Sequence, residues 1–152
     1  MTELGHTKNA ERKLQLSLLA LRLTIAWFLM QWVLDKFLNP DHTARIFAFF
    51  YKVPIDISLS PVIGSIQLIV VTAFLLGFMK PISYGAVALM HTVTTLSTWK
   101  SILMPFAEGS NQLFSTGVPV LAACWALFAL REHDVLLSFD AWRDARKNRY
   151  RT

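Results

Sequence analysis

A single cysteine, Cys124, serves the whole 152-residue chain. One thiol cannot close an intramolecular disulfide, so a dithiol relay within the chain is excluded. Cys124 sits in an apolar stretch, where a small packing residue is the expected role. Charge is scarce too, at 16% of residues against about 25% in an average protein. Residues 81–99 hold no Asp, Glu, Lys or Arg, and residues 101–130 hold only Glu108. Linkers and low-complexity segments are missing, which leaves one domain over 1–152. Histidine is absent from the apolar stretches except for His91; His6, His42 and His133 lie outside them. That argues against haem held by paired histidines, and no cluster has metal-ligand spacing.

What fills the chain is apolar sequence, in four stretches at about 14–34, 61–79, 81–99 and 113–130. A helix needs about 20 apolar residues to cross the hydrocarbon core of a bilayer. Backbone amides there have no water to bond, so such stretches must be helical. The expected fold class is all-α: a polytopic membrane four-helix bundle. The segment 42–53 places Ile46, Phe49, Phe50 and Val53 at helical spacing, which predicts a short amphipathic helix between the first two spans. Asp41 is its expected cap and Pro54 its stop. Lys80 lies in a turn short enough to make a helix hairpin of the second and third spans. Gly117 and Pro119 predict a kink in the fourth. The tail after Leu130, with Phe139 and Trp142 among charges, reads as an interfacial helix.

The net charge of +5 does not point to nucleic acid, because of where the charges stand. Lys8, Arg12 and Lys13 precede the first stretch, and Arg131, Arg143, Arg146, Lys147, Arg149 and Arg151 follow the last. Excess Lys and Arg mark cytoplasmic flanks. An even number of spans with two basic ends predicts a multi-pass membrane protein with both termini cytoplasmic. The first apolar stretch is too long for a signal-peptide core and has no small-x-small cleavage site, so a retained first helix is expected.

Six polar residues are candidates for a ligand site. Arg22 stands within the first stretch, at a cost of about 2.5–3.5 kcal/mol on insertion scales. It shares a seven-residue stripe with Gln15, Leu29 and Lys36. Two readings stand: an inward anchor for an acidic partner or for a ligand carbonyl or phosphate, and a side chain snorkelling to the inner surface. Asp35 and Lys36 close the outer end of that helix, as a charged pair at a pocket mouth or as a solvated helix end. His91 lies mid-stretch, on a face with Tyr84, Thr94, Thr95 and Thr98, where a histidine can relay protons, hydrogen-bond a quinone carbonyl, bind metal or brace a neighbouring helix. Gln67 and Asn111, with Gln112, are further polar groups near the outer half.

The runs LALRLTIAWFLMQWVLDKFLNP, FFYKVP, LLGFMKP, ALMHTVTT and VPVLAACWALFALREHD together resemble the DoxX-like family of small four-helix membrane proteins. The resemblance covers about residues 18–134. It implies a four-helix bundle in the inner membrane with a polar interior at the Arg22, Lys36 and His91 positions, and it transfers no catalytic set. Some relatives are membrane subunits of thiosulfate:quinone oxidoreductase or partners in oxidative-stress complexes. The function expected is therefore a redox-linked, quinone-associated membrane subunit, with the bilayer and another membrane or soluble redox protein as partners. The alternative is a non-catalytic accessory or assembly subunit of a larger membrane complex. Quinone is the one cofactor suggested.

Overall fold

A computed structural model describes residues 2–149, with side chains from His6 onward; Arg151 lies outside them. Among the described residues the chain is all-helical, with seven α-helices and no strand. Helix α1 (Thr2–Leu38) comes first. Its buried residues Leu18, Arg22, Ile25, Ala26, Leu29 and Val33 recur at steps of three and four, which puts them on one face. Against that face pack Val71 and Phe74 of α3 (Leu59–Leu75), Tyr84, Val87 and Ala88 of α4 (Lys80–Ser97), and Cys124 and Leu127 of α6 (Gly117–Ala129). Cys124 is buried and free, as its packing role requires.

Two helical stretches are long and apolar enough to cross a membrane, His6–Leu38 and Gln112–Ala129, while Leu59–Leu75 is apolar but shorter. Helix α4 has 18 residues, but Ser83, Tyr84, His91 and Thr95 on its buried face dilute its apolar character.

The connections depart from expectation in three places. Helix α2 (Pro40–Ile46) starts at Pro40, with Asn39 as cap and Asp41 in the first turn. Proline is preorganised for that first position, since its missing N–H would have had no partner. The helix then widens into a π turn (Phe47–Tyr51) and stops at Lys52, whose φ is 58°. Pro119 does not kink a helix. A 3-10 turn (Gln112–Thr116) precedes α6, and Pro119 falls in the first turn of α6, where it breaks no bond of a longer α-helix. The connection 100–112, without a clear sequence pattern, contains the short helix α5 (Trp99–Leu103). The tail forms α7 (Phe139–Arg149).

Two glycines permit close approach. A Cβ on Gly64 would lie 3.0 Å from Lys36 Cβ, so α3 can approach α1 there only without a side chain. Gly77 ends α3 with φ +60°. Its N–H bonds Phe74 O and the N–H of Phe78 bonds Ala73 O, the paired reverse bonds that close a helix C-terminus.

Candidate functional site

The inward polar residues gather in two places. The first is a cavity of about 230 Å³ between the Leu38 end of α1, the π turn, α3, α4 and the start of α6. Its walls are mostly apolar and aromatic: Phe28, Leu29 and Trp32 from α1, Phe47 and Phe50 from the π turn, Phe114 from the 3-10 turn. Rings Phe50 and Phe114 are 5.5 Å apart, and Phe28 meets His91 edge-on at 6.0 Å. Into this apolar frame come Asp35, Lys36, Gln67, His91, Thr94 and Thr95. His91 is buried, and its Nε2 lies 3.1 Å from Gly117 O. At the rim, Asp35 binds His42 Nδ1 at 2.6 Å and accepts from Asn39 Nδ2 at 2.9 Å. Lys36 turns back to donate to Trp32 O at 3.0 Å. Tyr51 OH and Thr94 Oγ1 bond at 3.1 Å, tying the π turn to α4.

The second place is a closed cluster around Arg22, which is fully buried and does not line the cavity. Arg22 Nη1 lies 3.3 Å from Asp134 Oδ2, also fully buried, and 3.2 Å from Tyr84 OH. Tyr84 OH donates to Asp134 Oδ2 at 2.6 Å. Arg22 Nη2 donates to Leu136 O at 2.6 Å and Leu137 O at 3.1 Å. Leu137 has a positive φ of 48° in the turn that presents these carbonyls. Lys80 Nζ donates to Arg131 O and Asp134 O, and the backbone N–H of Lys80 donates to Asp140 Oδ2. The segment 131–140 is thus pinned beneath the bundle. Arg22 Nε and Asp134 Oδ1 have no partner among the described residues. A buried ion pair with unsatisfied atoms specifies a geometry more than it adds stability.

Of the six candidates, the structure brings together Asp35, Lys36, Gln67 and His91. Arg22 faces inward, the first of its two readings, but protein groups take up its guanidinium. Asn111 does not line the cavity: it caps the 3-10 turn, its Oδ1 accepting from Leu113 N at 2.9 Å. Tyr84, expected on one face with His91, is buried like it, but it lies seven residues and about 10 Å along α4 and belongs to the closed cluster. Sequence reasoning passed over Asp134. The signal available was the cost of an unmatched buried arginine, which calls for a carboxylate, and Asp134 follows close after the last apolar stretch. Metal-ligand clusters of three or more His, Cys, Asp or Glu are absent among the described residues. Compared with known proteins, the chain matches no family model, and neither a curated protein nor a solved structure matches it significantly.

Proposed function

We propose that the protein is a DoxX-like four-helix protein of the inner membrane that holds a quinone-type ring in the α1–α4–α6 cavity, as a redox-linked subunit serving another membrane or soluble redox protein. The observation that carries this reading is the cavity. It has aromatic walls and a few convergent polar groups, the usual make-up of a small-molecule site. At about 230 Å³ it is smaller than the roughly 300–1,000 Å³ of sites for drug-sized ligands, and it suits a single ring system. A non-catalytic accessory subunit would be expected to have a filled bundle instead.

The membrane part of the reading draws support from the outer surface. Trp27, Ile66, Ile69, Leu89 and Leu96 are 60–72% exposed, an apolar exterior that hydrocarbon would cover and water would not. Only 11% of the Gln112–Ala129 stretch is buried inside the protein, whereas the core helix of a water-soluble fold buries most of its length. Lys80, Arg131 and the basic residues of α7 gather at one end of the bundle, the arrangement of a cytoplasmic flank.

Two measurements test the proposal. Protein purified in mild detergent is extracted with organic solvent, and the extract is assayed for quinone. Wild type should carry it; a wild type without quinone that also fails to bind an added short-chain quinone overturns the ligand reading. For topology, Cys124 is first replaced by Ala. A cysteine at Ser110 should then react with an impermeant reagent on intact cells and one at Lys8 should not; the reverse pattern overturns the orientation.

A further inference from the structure

We infer that the cavity selects the hydroxyl form of its ring, a phenol or hydroquinone, over the corresponding carbonyl form. This rests on the ligand-binding reading above and adds which form the site prefers. The argument begins at His91, whose Nε2 lies 3.1 Å from Gly117 O. A carbonyl oxygen only accepts, so Nε2 carries a hydrogen. Asp35, the one carboxylate on the cavity wall, is engaged with Asn39 and His42. Nothing on the wall therefore balances an imidazolium, and the buried ring is neutral. A neutral imidazole has a single N–H, and Gly117 takes it. What remains is the lone pair of Nδ1, which has no partner among the described residues.

A ring carbonyl has only lone pairs to offer that nitrogen. A hydroxyl on the same ring donates to it. The other groups on the wall do not reverse this choice. Lys36 gives one of its three N–H groups to Trp32 O, and its other two, like the Gln67 amide, can donate to the oxygen of either form, so neither group separates the two. A second polar group stands near His91, and because a hydroxyl both donates and accepts it can bond either form. Thr95, one helical turn beyond His91 on the same wall, is 8% exposed, and its Oγ1 is buried without a hydrogen-bond partner among the described residues. Its neighbours Thr92, Thr94 and Thr98 all donate to carbonyls of α4. That unpaired hydroxyl, on a residue of the cavity wall, is a second candidate contact for the ring substituent. Thr95 can accept from a ligand hydroxyl that has already been drawn to His91, or return a hydrogen to its oxygen.

Duroquinol and duroquinone provide the test, because they share a skeleton and differ by hydroxyls against carbonyls. Their dissociation constants are measured anaerobically by calorimetry on the full-length protein in nanodiscs. The expectation is about tenfold tighter binding of duroquinol, equivalent to a rise of about 30 mV in the midpoint potential of the bound two-electron couple. His91→Phe should bring the two constants together while the protein keeps its helical circular dichroism. Thr95→Val should weaken duroquinol without touching the His91–Gly117 bond. If His91→Phe does not fold, the wild-type ratio and Thr95→Val decide alone. Equal affinities, tighter binding of duroquinone, or a duroquinol preference that survives His91→Phe would each overturn the inference while leaving a ring-binding cavity in place. Binding of neither compound would overturn both.

Discussion

Arg22 and His91 both sit on inward faces of apolar helices, yet their surroundings differ in how far the protein itself answers them. Arg22 meets a carboxylate, a phenol and two carbonyls drawn from α4 and the tail. His91 meets one carbonyl and otherwise faces a cavity with aromatic walls. The lesson is that a polar residue in an apolar helix is not by itself a site. The more expensive residue of the two is the structural one, because its cost could be met only by building a permanent partner. The cheaper one can be left incomplete, and incompleteness is what a ligand needs.

The sharpest way to break this comparison is at Asp134. Asp134→Asn keeps the shape of the side chain and leaves Arg22 buried without a counter-charge, which should cost about 3–5 kcal/mol. Unfolding of the purified protein in detergent, followed by circular dichroism, measures it. Arg22→Met combined with Asp134→Leu should recover more than half of that loss, since apolar residues of similar volume replace buried ion pairs well. Should Asp134→Asn prove neutral, the closed cluster is not structural and the contrast collapses.

Next in size is Gly77→Ala. The new Cβ would stand 2.5 Å from Arg22 Nη1 on a residue with φ +60°. A left-handed alanine alone costs about 1–2 kcal/mol, and the displaced guanidinium adds to that. The melting temperature should fall clearly, with Gly64→Ala as a comparison at a site away from the cluster. His91→Phe should cost less, about 0.5–1.5 kcal/mol for one net hydrogen bond, and its main effect should be on binding. Smallest, and opposite in sign, is Thr95→Val, which removes a buried unpaired hydroxyl and should raise stability by up to about 1 kcal/mol. A loss of several kcal/mol at either cavity position would make the cavity as structural as the cluster.

Much of the helical framework was legible because four long apolar stretches stand between runs that hold Pro, Gly or charge, and such stretches satisfy their backbone as helices. The inward turn of Arg22 was one of two open readings, supported by the tendency of charges within a membrane helix to face the bundle interior. The convergence of Asp35, Gln67 and His91 was not legible. It depends on how three helices rotate about their axes, and spacing along one helix does not set the rotation of another. Asp134 was hidden by its neighbours: Arg131, Glu132 and His133 give the run the look of a solvated tail, and only the fold-back of 131–140 buries it. Asn111 misled in the opposite direction. An asparagine ahead of an apolar run looks like an inward polar group, but its short side chain reaches the backbone two residues on before it can reach anything else.

The contact between Arg22 and Leu136 joins residues 114 positions apart, and translation makes one long before the other. In a chain that inserts as it is made, the first helix enters hydrocarbon with an unmatched guanidinium and waits. Only when the ribosome has delivered the residues after the last apolar stretch can Asp134 and the two leucine carbonyls arrive. A product that stops before Asp134 lacks the carboxylate that meets Arg22, and the finished chain supplies it.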